Sequence, residues 1–143
     1  ARPLCWKKQH PRRLHRHRKN FRWRGAQRQS DSDLGPATTG TIGLAPSANL
    51  NPDRSFPSLF EPVHGSAPDI YGKNIANPIA MVWSGALMLD FLGRSEGAWR
   101  QAHDHIVAAI ESTIKTGPRT PDLGGTASTT EVGQAIAAAI AQA

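Results

Sequence analysis

The chain has 143 residues and a formal net charge of +6, from 17 Lys and Arg against 11 Asp and Glu, a length for one domain or at most two. The single cysteine, Cys5, excludes a disulfide framework and a cysteine-based zinc site. No apolar run qualifies as a membrane-spanning helix, since the stretch 75–92 is broken by Asn77, Pro78, Ser84 and Asp90.

The charge is divided unevenly. Residues 1–30 hold 11 Lys and Arg, three His and no acid, whereas residues 31–143 hold six Lys and Arg and all 11 acids, a net of −5. The first 30 residues contain no Ile, Val or Met, and their apolar residues stand singly, with neither helical nor strand period. Such a segment buries too little surface to offset its ordering entropy, so residues 1–30 are expected to be a disordered or poorly packed basic tail. It reads as a solvated tail, as a nucleic-acid contact in which cations alternate with Trp6, Phe21 and Trp23, or as a transit peptide, although Pro11, the histidines and the shortage of Ser speak against the last.

Residues 31–143 can bury a small core. Residues 35–58 are rich in Gly, Pro, Ser, Thr and Asn, and the apolar stretches Thr41–Ala45 and Phe56–Phe60 suit short strands joined by loops. Ser58–His64 is a further extended candidate, leading into the loop chemistry of Gly65–Asp69. Three helices follow. Asn77 is a cap with Pro78 at the first helical position, and the helix runs to about Leu92 and stops at Gly93. It is apolar nearly all round, which predicts a buried element. The second runs from about Glu96 to Thr116, with Trp99, Ala102, Ile106, Ile110 and Ile114 in one stripe and Gly117-Pro118 as its stop. The third begins at the capping box Ser128–Glu131, with Val132, Ala135, Ile136, Ala139 and Ile140 at helical spacing. Trp83 and Trp99 are expected in the core. His103 and His105, on either side of Asp104, have the wrong spacing for a zinc pair and read as helix surface.

The informative stretch is Phe60–Pro78: an extended segment, a tight loop of small residues, then a capped helix. Small residues let a flat ligand approach the backbone. A carboxylate such as Asp69 can accept from both vicinal hydroxyls of a ribose, His64 offers a ring face and a donor, and the amides near Asn77 can meet a polar ligand edge. On composition alone the plainer reading is a Gly/Pro turn joining a strand to a helix.

The order of the residues goes further. FEPVHGSAPDIYGKNIANP (residues 60–78) closely resembles the adenosine-binding loop of the β-decarboxylating dehydrogenases, the family of the isopropylmalate, isocitrate, tartrate and D-malate enzymes. The resemblance runs from SDLGP (32–36) through GTIGLAPSANL (40–50) and GPRTPDLGGTA (117–127) to the C-terminus. NLNP at 49–52 and MVWSGALML at 81–89 are most similar to the tartrate/D-malate branch. The resemblance implies a cofactor loop at His64, Gly65, Ser66, Ala67, Asp69 and Ile70, an adenine contact at Asn77, and a residue near the cofactor at Asp122. In NADP-dependent members a Lys-Tyr pair replaces Asp69-Ile70 and binds the 2′-phosphate, so the carboxylate here implies NAD. Asp33 matches the second of two metal-binding aspartates in the family pattern Gly-Asp-Ile-Leu-Ser-Asp.

The pattern breaks upstream. The position four residues before Asp33 is Gln29, and Asp31 stands only two before, out of register on a helix. No resemblance extends before Asp31, where the family supplies its substrate-binding arginines, its catalytic Tyr and Lys, and a further metal-binding aspartate from a partner subunit. A reading-frame error is therefore a fourth reading of residues 1–30: His15–Arg18 read one base along can encode Ile-Val-Ile-(Val or Ala), the type of strand that precedes the metal aspartates. The resemblance thus implies an α/β fold, the C-terminal portion of an isopropylmalate-dehydrogenase-like nucleotide domain over residues 31–143, expected to be incomplete. It implies NAD- and Mg²⁺- or Mn²⁺-dependent oxidative decarboxylation of a small 2-hydroxy acid by a cytoplasmic homodimer. The 143 residues alone are expected to be inactive or feeble, since Asp33 by itself is a poor divalent site. A non-catalytic NAD-binding or subunit-interaction fragment, and a nucleic-acid-binding protein acting through residues 1–30, are the alternatives.

Overall fold

The computed structural model describes residues 40–142. The basic tail at 1–30 and the expected metal ligand Asp33 lie outside the described residues. In chain order there follow a 3₁₀ turn at Ile42–Leu44, strands β1 (Pro46–Asn49) and β2 (Leu59–Pro62), a 3₁₀ turn at Pro68–Ile70, helices α1 (Ile79–Leu92) and α2 (Gly97–Thr116), a 3₁₀ turn at Pro121–Leu123, and helix α3 (Thr129–Ala141). The mixture of strand and helix is the α/β composition expected.

Thr41–Ala45 is not the short strand that its composition suggests. Thr41 Oγ1 accepts the Gly43 N–H at 3.0 Å, and a threonine bonded to its own following backbone favours a turn. The strand begins only at Pro46 and pairs antiparallel with β2, Pro46 opposite Pro62 and Asn49 opposite Leu59. The two prolines, which cannot donate to a ladder, thus meet at one end of the sheet. Of Phe56–Phe60 only Leu59 and Phe60 enter a strand. Phe56 belongs to the connecting loop, where its carbonyl accepts from Asn51 Nδ2 at 3.1 Å while the Asn51 N–H reaches Ser58 Oγ at 2.9 Å.

The helix signals are realised closely. Asn77 Oδ1 accepts the Ile79 N–H at 3.0 Å, with Pro78 between them already in the helical region, so the Asn-Pro pair opens α1. At its far end the Gly93 N–H bonds Leu89 O at 2.9 Å. The Arg54 guanidinium reaches over from the β1–β2 loop to the carbonyls of Phe91 and Leu92 and lies 4.9 Å from the Phe91 ring centroid. A cation here meets the carbonyls of the last turn, of which Phe91 O also accepts the Arg94 N–H at 3.2 Å, and the negative end of the helix dipole. In α2 the Gly117 N–H closes on Thr113 O at 2.9 Å before Pro118 ends the helix. The Ser128–Glu131 capping box of α3 is formed in both directions.

One face from each helix makes the core, where Ile79, Ala109, Ile110, Val132 and Ile136 are buried together and Leu44, Val82, Trp83, Ile106 and Ile114 pack around them. Two expectations fail here. Helix α1 is not buried all round: Met81 is 58% exposed and Leu92 50%, because the hairpin, the first 3₁₀ turn and α2 are what lie against it. Trp99 is half exposed, since it sits in the first turn of α2 beside Gly93, where an added Cβ would collide with its side chain. No helix among the described residues is long and apolar enough to cross a membrane.

The core is thus a small joint of three helices, and single truncations in it should be costly. Ile136→Ala, at a position 1% exposed, is expected to lower unfolding stability by about 2–4 kcal/mol in urea titrations. Met81→Ala on the open face of α1 should cost less than about 1 kcal/mol. Equal losses from the two would contradict this placement of the core.

Candidate functional site

The segment from Val63 to Asn77 leaves the sheet, reverses, and enters α1. Val63 extends the hairpin by one more bond, its N–H to Ala45 O at 3.0 Å. His64 and Ile70 are half-buried, while Gly65, Ser66, Ala67 and Asp69 are exposed. His64 Nδ1 lies 3.0 Å from Gly65 O. A carbonyl can only accept, so Nδ1 carries the proton in this bond and a neutral ring offers Nε2 as an acceptor. The reversal occurs at Ala67, whose φ of 44° and ψ of 63° are left-handed, a conformation that costs a non-glycine residue about 1 kcal/mol or more. It sets Pro68–Ile70 into the 3₁₀ turn that presents Asp69. A Cβ built on Gly65 would meet nothing within 4 Å, so this face of the loop is open to a ligand.

The opposite side is braced from two distant segments. Asp122 Oδ2 accepts from Thr41 Oγ1 at 2.6 Å and from Asn77 Nδ2 at 3.0 Å. Thr41 is donor to Asp122 and acceptor from Gly43 through one hydroxyl. Asn77 commits its amide in both directions, Oδ1 to the start of α1 and Nδ2 to Asp122. Gly43 is buried in this junction, and a Cβ there would stand 2.9 Å from both Asn77 Cβ and Asp122 Oδ2. Burial raises the Asp122 carboxyl, but hydrogen bonding from Thr120, Thr41 and Asn77 outweighs it and holds the group below the usual carboxylate range. Thr120 contributes although its buried Oγ1 has no hydrogen bond of full geometry among the described residues.

The structure therefore gathers His64, Gly65, Ser66, Ala67, Asp69 and Ile70 on one loop and joins Asn77 to Asp122 directly. Sequence reasoning did not single out Thr41 or Gly43, whose partners are 81 and 79 positions away at Asp122; only the helix-start signal at Asn77 was local enough to see. Among the described residues no three His, Cys, Asp or Glu come together as a metal cluster. His105 lies on the exposed surface of α2 as expected, but His103 does not: it stands beside the apolar stripe and its side chain is only 14% exposed. Its Nδ1 lies 2.9 Å from Asp104, which also pairs with Arg100.

Comparison with known proteins gives consistent matches. The isocitrate/isopropylmalate dehydrogenase family model matches residues 30–136. The chain is 70% identical over 105 residues to the decarboxylating D-malate dehydrogenase of Escherichia coli K12, covering 73% of this chain and 29% of that protein. It is 68% identical over 111 residues to the tartrate dehydrogenase/decarboxylase of Pseudomonas putida, covering 78% of this chain and 30% of that one. Among solved structures, a β-decarboxylating dehydrogenase from Thermococcus kodakarensis matches with a TM-score of 0.66 and 44% identity over 77% of this chain and 30% of its own. Isocitrate dehydrogenase from Methylococcus capsulatus matches with a TM-score of 0.61 and 37% identity, over 76% of this chain and 30% of its own. The chain thus spans under a third of the length of these relatives.

The Asp122 junction has a pH signature. A carboxyl held low in the folded state stabilises it fully above the ordinary Asp value of 3.8, and that contribution is lost as pH falls through the lowered value. Between pH 5 and about 2.5 the melting temperature of Asp122→Asn should fall less steeply than that of the unmodified protein; parallel curves would contradict the brace. Gly43→Ala should cost about 1–3 kcal/mol by forcing Asn77 and Asp122 apart, read by the same melts at neutral pH.

Proposed function

The chain belongs to the isocitrate/isopropylmalate dehydrogenase family, and on that premise we propose that it supplies the adenosine end of the dinucleotide site in an NAD-dependent oxidative decarboxylation of a 2-hydroxy acid of the tartrate or D-malate type. The observation that carries the NAD assignment is Asp69, an exposed carboxylate presented by the turn after the reversal at Ala67. An anion at this point suits a ribose diol, which donates two hydrogen bonds, and opposes a 2′-phosphate. At a separation of about 4 Å that opposition is worth about 1–4 kcal/mol, or about tenfold or more in affinity. Gly65, open where a Cβ would stand, leaves room for the cofactor to approach the backbone.

The residues fit this role. His64 contributes a ring with its tautomer set by Gly65 O, Asn77 presents its main chain at the start of α1 while its side chain is held by Asp122, and Ile70 closes the turn. When bound, NAD supplies the hydride acceptor. The chain's own residues bind and orient the adenosine so that the reactive end is carried to a fixed place. Mg²⁺ or Mn²⁺ belongs to the same reading through Asp33, and such an ion supplies Lewis-acid polarisation of the substrate oxygen. The 2-hydroxy acid substrate, the homodimer and the cytoplasmic setting belong to the whole protein on this reading, as does the division of the chain at residue 31.

The test is a chimera in which residues 31–143 replace the corresponding part of the E. coli D-malate dehydrogenase. It should release NADH from D-malate in the presence of Mn²⁺, and a folded chimera without turnover would contradict the reading. Replacing Asp69-Ile70 by Lys-Tyr in it should shift preference towards NADP by about tenfold or more. The 143 residues alone should release no NADH from D-malate, L-tartrate or isopropylmalate, because one aspartate is too few ligands for a hard divalent ion.

A further inference from the structure

Residues 71–76, between the Asp69 turn and α1, are exposed, with Tyr71 at 87% and Ile75, at 37%, covered over most of its surface, so apolar packing alone holds them weakly. They are held by the first turn of α3. Asn74, with a left-handed φ of 55°, accepts the Thr129 N–H on its carbonyl at 2.9 Å. Its Oδ1 accepts from Thr130 Oγ1 at 3.0 Å and from the Thr130 N–H at 3.3 Å, and Thr129 Oγ1 donates to Ala76 O at 2.5 Å. Helix α3 does not need these threonine hydroxyls for its own capping, since Ser128 Oγ accepts the Glu131 N–H at 3.2 Å and Glu131 Oε2 accepts the Ser128 N–H at 2.7 Å.

We infer that Thr129 and Thr130 are positioning residues for cofactor binding, clasping residues 74–76 so that the backbone leading into Asn77 is already in place when the adenosine arrives. This rests on the reading of residues 64–77 as the adenosine loop. An exposed loop segment without the clasp samples many conformations, and a ligand that must order it binds more weakly. The clasp removes that cost from a place 53–56 positions away in sequence.

The test is calorimetric titration of the full chain with NAD. Thr129→Val/Thr130→Val keeps the side-chain shape and removes both hydroxyls, and should weaken binding by about tenfold. Thr129→Ser/Thr130→Ser, which restores the hydroxyls, should stay within about twofold of the unmodified chain. Ser128→Ala removes the capping box of the same helix but leaves every partner of Asn74, and should also leave NAD affinity within about twofold while lowering the melting temperature. If Ser128→Ala weakens NAD as much as the double valine variant does, the effect is one of stability and the inference fails. If the double variant binds as well as the unmodified chain, the inference fails while the adenosine-loop reading stands. An unmodified chain that does not bind NAD overturns both. Should the double variant not fold, Thr130→Val alone, which keeps both Thr129 bonds, is measured against the same controls.

Discussion

Two hydrogen bonds converging on Oδ2 of Asp122 join the turn before β1, the start of α1 and the segment after α2. The arrangement leaves little freedom. Thr41 must donate to the carboxylate while accepting from Gly43, and Asn77 must face Asp122 with its nitrogen while its oxygen opens α1. Gly43 lies so close to both that the space for a single added carbon is already taken. Desolvation works against a charge in this position, and the donors around it more than compensate. Move any one of the three and the exit of the loop at Asn77 moves with it, because the first turn of α1 contributes Ile79 to the core directly beyond.

The loop itself is strung between two anchored elements. Its entry is the end of β2, carried one bond further by Val63. Its exit is α1, whose other end is latched by Arg54 through the carbonyls of Phe91 and Leu92 and the face of the Phe91 ring. Phe91 in turn meets Phe60 of β2, ring centroids 5.9 Å apart, so strand and helix are tied at the end away from the loop. Between these anchors the chain tolerates a left-handed alanine at position 67. A strained residue in an exposed turn, with both flanks fixed, suits a ligand-facing loop, although Arg54, Arg94 and Ser95 share the conformation outside it. It is consistent with the dinucleotide role proposed for it.

The helices were legible in the sequence because their signals are local: Asn77-Pro78, Gly117-Pro118 and the Ser128–Glu131 box act within a few residues of where they stand. The strands were less so. Thr41–Ala45 has strand-like composition, but a hydroxyl that bonds two residues ahead turns it. Helix α1 reads as buried because nearly every side chain is apolar, yet burial depends on what lies against it, and the described elements cover one side. The loop residues could be picked out by order and resemblance, whereas the brace at Thr41, Gly43 and Asp122 and the clasp at Asn74, Thr129 and Thr130 join positions tens of residues apart and leave no local pattern. Asp122 was visible by resemblance alone, and its contact with Asn77 needed the structure.

Whether residues 64–77 receive the adenosine of NAD is decided by following the backbone amides of the protein by NMR during a titration with NAD. Saturable shifts concentrated at Gly65, Ser66, Ala67, Asp69, Ile70 and Asn77, and much smaller along the outer face of α2, are the predicted result. Saturable shifts elsewhere with this loop unmoved, or no saturable shift at all in the folded protein, would contradict it.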